Sequence, residues 1–466
     1  MERCDGAVIP KNDILKIGTI KQESMMTSGK KGGGLLPALL VAGMSLGTAW
    51  AIRGQFGHEH GAAWAGAIGT LATLLIAGRR DWLAKGFYAT MAGGLGWGIG
   101  GMMSYGLLVG YGRADDIGNA SFGLAMLFVV GGLYGFIGGG LLGLSLSDGP
   151  SRKVAWHQVL LEMIGGAILF YFFLTEQFGW LANPPRSELW TACLGMAAAL
   201  AWHLRRNGMT AALRTAVYAG LGGGFGFASG NFLMVLGQVS GIPFNFWNVM
   251  EYSLGFWGGV GLAYGVLTSA WEGPVAGPVK PHRQSFHLAM LVIVVPFVMW
   301  QQNFDAERIL DTYGRLVGEE GAASLLPLVR WLPIAVTLAV GAFWWQRHRS
   351  TPGNPDTTRM RSFLFAHWAL YMLLSWVITG AIVSPYRIEQ YLYLANFIAV
   401  GMLIGRVGVE NPRLGLEPRR YLALTGAVAV GILIMAAIAT STHDGFKNSK
   451  KRFETPQPAA DSTAVK

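Results

Sequence analysis

Apolar runs of 17 to 28 residues recur along almost the whole chain. A helix rises about 1.5 Å per residue, so each run is long enough to cross a hydrocarbon core about 30 Å thick. Lipid offers no hydrogen-bond partner to the backbone, and continuous apolar runs of this length satisfy their own amides only as helices. Thirteen runs can be placed, at 35–52, 62–78, 86–110, 119–146, 154–176, 187–203, 211–236, 246–270, 285–302, 325–346, 362–383, 389–406 and 420–440. The expected fold is therefore all-α, a polytopic integral membrane protein of about 13 transmembrane helices. A polar N-terminal tail, 1–34, precedes the helical domain at 35–441, and a polar tail at 442–466, expected to be disordered, follows it.

Composition agrees and removes other classes. Charged residues make up 13% of the chain, against about 25% in soluble domains. Glycine, at 67 of 466 residues, is about twice as frequent as usual and sits inside the apolar runs, where it lets helix backbones approach closely. The net charge of +10 does not mark a nucleic-acid binder, because the basic residues fall at the ends of apolar runs. Two cysteines, Cys4 in the tail and Cys193 inside a run, build no disulfide framework. About thirty mostly polar residues precede the first run, which is not the pattern of a cleavable signal peptide.

Lysine and arginine orient the runs. Alternate loops carry Arg79, Arg80 and Lys85; Arg152 and Lys153; Arg205 and Arg206; Lys280 and Arg283; Arg347, Arg349, Arg359 and Arg361; and Arg406, Arg413, Arg419 and Arg420. The intervening loops are poorer in positive charge, which places the N-terminus in the cytoplasm, with a bacterial cytoplasmic (inner) membrane as the expected location. The basic C-terminal tail, with Lys447, Lys450, Lys451 and Arg452, then lies outside, against the trend.

The middle of the chain repeats itself. "AGGLGWGIGGM" (92–102) resembles "GLGGGFGFASG" (220–230), and "GGLYGFIGGGLLG" (131–143) resembles "LGFWGGVGLAYG" (254–265). The units, about 86–150 and 211–274, recur with a period of about 123–128 residues that spans four helices, an even number, so the copies of this four-helix repeat run parallel. Such duplication occurs in transporters and in helical toroids. The G-x-G-x-x-G matches at Gly96, Gly98, Gly101 and at Gly138, Gly140, Gly143 lie mid-run without a preceding strand, so they are read as packing glycines rather than phosphate loops.

Carboxylates and amides played no part in the orientation, yet they collect in the loops it places outside. These are 53–60, 112–119, 175–188, 231–251, 301–320 and 384–391, holding Asp116, Glu176, Gln238, Trp247, Gln302 and Asp305 among others. Glu251 starts a run beside Asn231, which ends the previous one, and the hairpin between them is expected to bring the two together near an outer mouth. Their counterparts in the first repeat, near Met103 and Phe128, are apolar. Glu162 lies about two turns into its run from the inner side, where a carboxylate is costly unless paired, so it is either functional or an interhelical hydrogen bond.

The stretch "RGQFGHEHG" at 53–61 sets an Arg, a Gln, a Glu and two His in one tight hairpin between two apolar runs. His58 and His60 converge on a metal only if the chain is extended or turning there, and no third ligand is fixed by spacing. Glu59 beside His58, with Arg53 and Gln55 to hold anionic or hydroxylated groups, fits acid/base chemistry. The same residues fit solute recognition, or an interfacial turn with Arg53 snorkelling. No metal site is assigned, and the sequence names no cofactor.

Interleaved acids, amides and tryptophans point to a sugar-like ligand, although interfacial belts explain many of the 17 Trp. The expected function is a membrane-embedded enzyme with an extracytoplasmic polar and aromatic cavity, a hydrolase or transferase acting on a sugar or glycan-like substrate. Glu251 and Glu59 would be its catalytic carboxylates. Arg53, Gln55, His58, His60, Asn231, Gln238, Trp247, Asp116, Glu176, Gln302 and Asp305 would bind substrate. The alternative is a multi-pass transporter of a small polar solute such as a sugar, polyol or anion. Expected partners are the lipid bilayer and that small ligand, not nucleic acid.

Overall fold

The structure, a computed structural model, describes residues 34–453 except 57, 150–151, 274–280, 352 and 410–411; at 58–60 and 281–283 it describes the backbone alone. Its elements are helices, with one isolated β-bridge between Ser269 and Leu414. Helices α1 (Leu35–Arg53) and α2 (His58–Ala77) form a hairpin. After a helical turn at Arg80–Leu83 comes α3 (Gly86–Gly100), and the chain breaks before the short α4 (Gly106–Tyr111). Then follow α5 (Ile117–Ser147), α6 (Trp156–Gln177, π-helical over Tyr171–Gln177), α7 (Leu189–Arg206), α8 (Thr210–Val239) and α9 (Phe246–Thr268). The last third holds α10 (Gln284–Asn303), α11 (Ala306–Ser350), α12 (Thr357–Ile378), α13 (Ile388–Leu403) and α14 (Pro418–Thr440).

Among the described residues, eight helices are long and apolar enough to cross a membrane: α1, α5, α6, α8, α10, α11, α12 and α14. The other predicted runs are helical but shorter or less apolar, and 86–110 is split by the break between α3 and α4. One predicted loop is a helix instead. Within 301–320, Asp305 caps α11 by accepting the Arg308 N–H at 2.9 Å. Only Gly318, at φ 79° and ψ 167°, interrupts that helix. Glycine is needed there because a side chain strains that conformation.

Six helices close a ring. Each packs on the next in the order α1, α2, α3, α5, α8, α9, and α9 returns to α1. The contacts are made through glycine. A Cβ added to Gly226 would lie 2.5 Å from the Ser253 carbonyl oxygen, and one on Gly259 2.7 Å from that of Ala42. The two G-x-G-x-x-G stretches meet each other: a Cβ on Gly96 would sit 2.7 Å from the Gly138 Cα. They are packing surfaces, as read from the sequence.

Burial concentrates in the ring and in α12, whose apolar window is 61% buried. The apolar windows of α1 and α8 are each 67% buried, against 22% for α6 and 17% for α14, which present apolar side chains such as Leu161, Ile168 and Leu433 outward. Gly226→Val should therefore destabilise by about 1–3 kcal/mol or more, because backbone atoms cannot yield as a side chain would. Gly431→Ala on α14, where a Cβ meets nothing within 4 Å, should cost nothing. Thermal unfolding in detergent checks both, and equal midpoints would contradict the close helix contacts.

The ends of the ring differ. Loops assigned inward by charge converge on one end, where Arg152 pairs with Glu272 at 2.7 Å and Arg79 with Asp81 at 2.6 Å. Buried Lys85 donates to the carbonyls of Leu146 at 3.0 Å and Asp148 at 2.5 Å, closing the C-terminal end of α5. Burial pushes the Lys85 ammonium down to about 8, partly offset by Asp148. Folding thus disfavours its charge: the penalty is full below about pH 8 and fades as pH rises toward about 10.4. Stability should rise by roughly 3 kcal/mol at most across that window from this group. The rise should be smaller in Lys85→Met, and identical pH profiles of thermal unfolding would contradict it.

Glu162 belongs to this packing rather than to a site. Its carboxylate accepts from Gln158 at 2.9 Å, pairs with His203 at 2.9 Å and contacts Arg206, clasping α6 to α7.

Candidate functional site

At the opposite end of the ring, charges that lipid would not tolerate are buried together. Arg53 is the last residue of α1, and Glu251 lies in the second turn of α9, its neighbour in the ring. A helix C-terminus favours a cation and an N-terminus an anion, so the antiparallel pair suits both charges at the same end. Arg53 Nη1 lies 3.1 Å from Glu251 Oε2 and 3.3 Å from Oε1, with the two residues 1% and 0% exposed. Only pairing and further hydrogen bonds make such burial tolerable.

Two tyrosines supply those bonds. Tyr105, at the break between α3 and α4, donates its hydroxyl to Glu251 Oε1 at 2.9 Å and accepts from Arg53 Nη1 at 2.5 Å. Tyr134 of α5 accepts from Arg53 Nη2 at 3.2 Å. The guanidinium also lies 5.3 Å from the Trp50 ring, a cation–π contact. Beneath this cluster Trp50 meets Trp97 and Tyr134 edge-on, each at 5.1 Å between ring centroids. Trp97 of α3 packs against Gly66 of α2, Gly138 of α5 and Gly258 of α9, so its indole lies within the ring. The polar cluster therefore has an aromatic floor.

A second polar layer fixes the hairpin after α1. Asn248 donates to the Ala51 carbonyl at 3.0 Å and to Tyr393 Oη at 2.5 Å, and Tyr393 donates to the same carbonyl at 3.2 Å. The Gln55 side chain also bonds Tyr393, while its carbonyl accepts from Arg308 at 2.5 Å. Tyr371 of α12 donates to the Gly61 carbonyl at 3.0 Å. A Cβ on Gly61 would lie 3.1 Å from Arg53 Cγ, so the first turn of α2 borders the cluster.

The predicted residues divide accordingly. Arg53 and Glu251 pair in the cluster, and Gln55 joins the second polar layer through Tyr393 and Arg308. His58, Glu59 and His60 form the first turn of α2, next to Gly61, and their side chains lie outside the described residues. Asn231 is buried but turns from the carboxylate: it donates to Val109 O at 3.3 Å and lies 3.9 Å from Met250 Sδ. Asp116 and Asp305 cap the N-termini of α5 and α11, which gives each a structural use. Gln238, Trp247, Glu176 and Gln302 are exposed. Among the described residues no group of three or more His, Cys, Asp or Glu side chains could hold a metal ion.

Tyr105, Tyr134, Asn248 and Tyr393 were not predicted. A tyrosine hydroxyl or amide inside an apolar run needs a partner, and that need was the available signal. No protein-family model, curated protein or solved structure matches the chain.

Proposed function

We propose that the chain is a membrane-embedded enzyme whose site lies at the extracytoplasmic end of the helical ring. It would be a hydrolase or transferase for a sugar or glycan-like substrate. The observation that carries this reading is the Arg53–Glu251–Tyr105 cluster above an aromatic floor at one end of a closed ring. A buried polar cluster near one end of the ring suits chemistry on a bound substrate better than passage along the ring axis. Glu251, held by Arg53 and Tyr105, is one catalytic carboxylate, and Glu59 is the second. The two act as the acid/base or nucleophile pair of glycosyl transfer. His58 and His60 would bind substrate.

The architecture in this reading has 13 spans in a bacterial inner membrane, with the N-terminus cytoplasmic and the Arg53 end outside. The internal four-helix parallel repeat, with units at about 86–150 and 211–274, is part of the same reading. The hairpins α3–α5 and α8–α9 are two copies, and α1–α2 is a third. G-x-x-G recurs on the second helix of each, at Gly66 and Gly69, Gly135 and Gly138, and Gly258 and Gly261. The hairpin α6–α7 is an insertion outside the ring.

Transport is the second reading, favoured by the break between α3 and α4 beside a buried ion pair, since interrupted helices at polar sites are common in transporters. Purified protein incubated with free and lipid-linked oligosaccharides should convert one class, detected as new species by mass spectrometry. Conversion that persists undiminished in Glu59→Gln would exclude Glu59 as the second carboxylate, and the absence of any new species would count against the enzyme.

A further inference from the structure

Residues 441–453, the start of the tail that composition marks as polar and disordered, lie against α4 and the beginning of α5. Lys450 N–H donates to the Gly110 carbonyl at 3.0 Å. The Asn119 side-chain oxygen accepts from the N–H groups of Arg452 at 2.5 Å and Phe453 at 2.9 Å, and its amide returns a bond to the Phe453 carbonyl at 3.1 Å. Lys451 Nζ pairs with Asp115 at 2.9 Å, and the Phe453 ring meets Phe122 at 5.5 Å. Gly110 permits the approach: a Cβ there would lie 2.7 Å from Lys450 Cγ.

The element held in this way is the one that closes the site. Tyr105 forms the N-terminal boundary of α4, packs its ring on Phe227 of α8 at 4.9 Å and donates to Glu251. At six residues, α4 is too short to be stable alone and depends on such contacts. We propose that α4 is a lid over the Arg53–Glu251 cluster and that the C-terminal strap is its latch. Release of the strap lets α4 lift and withdraws Tyr105 from Glu251, opening the buried carboxylate to the outside. The basic residues that break the charge alternation of the loops thereby gain a use, with Lys451 finding its acid partner on the same end of the ring. The inference concerns access and holds whichever chemistry the site performs.

The test uses two full-length variants. Asn119→Ala removes all three bonds to the strap while its backbone N–H keeps the capping bond to Asp116, and Lys451→Glu turns the exposed pair repulsive. Carbodiimide labelling of Glu251 and hydrogen exchange over 105–114 and 443–453 are followed by mass spectrometry. In the unmodified protein Glu251 should resist labelling and both segments should be protected. Asn119→Ala should raise Glu251 labelling and exchange over 105–114 by at least about tenfold, and Lys451→Glu by a few-fold. Loosening of 443–453 with Glu251 labelling unchanged would overturn the latch, as would free exchange of 443–453 in the unmodified protein. If Asn119→Ala also loses protection in α5 and α8, the Lys451→Glu readings decide alone.

Discussion

Arg53→Met is expected to be among the most damaging single substitutions in the chain, at about 3–5 kcal/mol. The cost is not that of a lost contact. It is the cost of leaving the Glu251 carboxylate, 0% exposed, without its counter-charge in a site walled by Trp50, Tyr105 and Tyr134. The double variant Arg53→Met, Glu251→Met should recover most of the loss, because a buried ion pair is about as stable as an apolar pair of similar volume. Unfolding in detergent compares the three chains. If the single variant lies within about 1 kcal/mol of the unmodified chain, or the double variant is no better than the single, the two charges are not coupled.

Glu251→Gln is expected to lower product formation by about 10²–10⁴-fold per folded molecule, the usual contribution of a positioned acid or base. The amide keeps the shape and can still accept from Tyr105 but cannot take up or release a proton. Some destabilisation will accompany it, since Arg53 loses its counter-charge, so activity must be normalised to folded protein. Glu188→Gln supplies the contrast. That carboxylate is also buried, but it accepts from the Ala182 N–H at 3.0 Å and the Asn183 N–H at 2.6 Å and so holds a loop. Its loss should lower stability while leaving turnover per folded molecule within about twofold. Equal effects of the two substitutions on turnover would remove Glu251 from the chemistry.

Much of the frame was legible in the sequence because length and apolarity decide it. The apolar runs became helices, and the glycine-rich stretches at 92–102 and 131–143 became helix contacts. The site was legible only in part. Arg53 and Glu251 stood out because a charge beside an apolar run is costly, but nothing in their spacing of 198 residues announced that they pair. That pairing depends on ring closure between α1 and α9, a long-range packing event without local signature. Asp116 and Asp305 misled for the opposite reason: an acidic residue in a loop and one that caps a helix look alike until the helix start is known. Tyr105 lies inside the apolar run 86–110, and only the break between Gly100 and Gly106, which has no local signature in the sequence, sets its hydroxyl against Glu251.

In the proposed reading the Arg53 end of the ring transforms a substrate rather than passing it across. One sample tests it: proteoliposomes given isotopically labelled sugars and glycan-lipids, with external products and internal label measured together. Chemically altered species are expected outside, formed by the unmodified chain and lost in Glu251→Gln, with no label accumulating within. Counterflow of unaltered label into the vesicles, without new products, would contradict it.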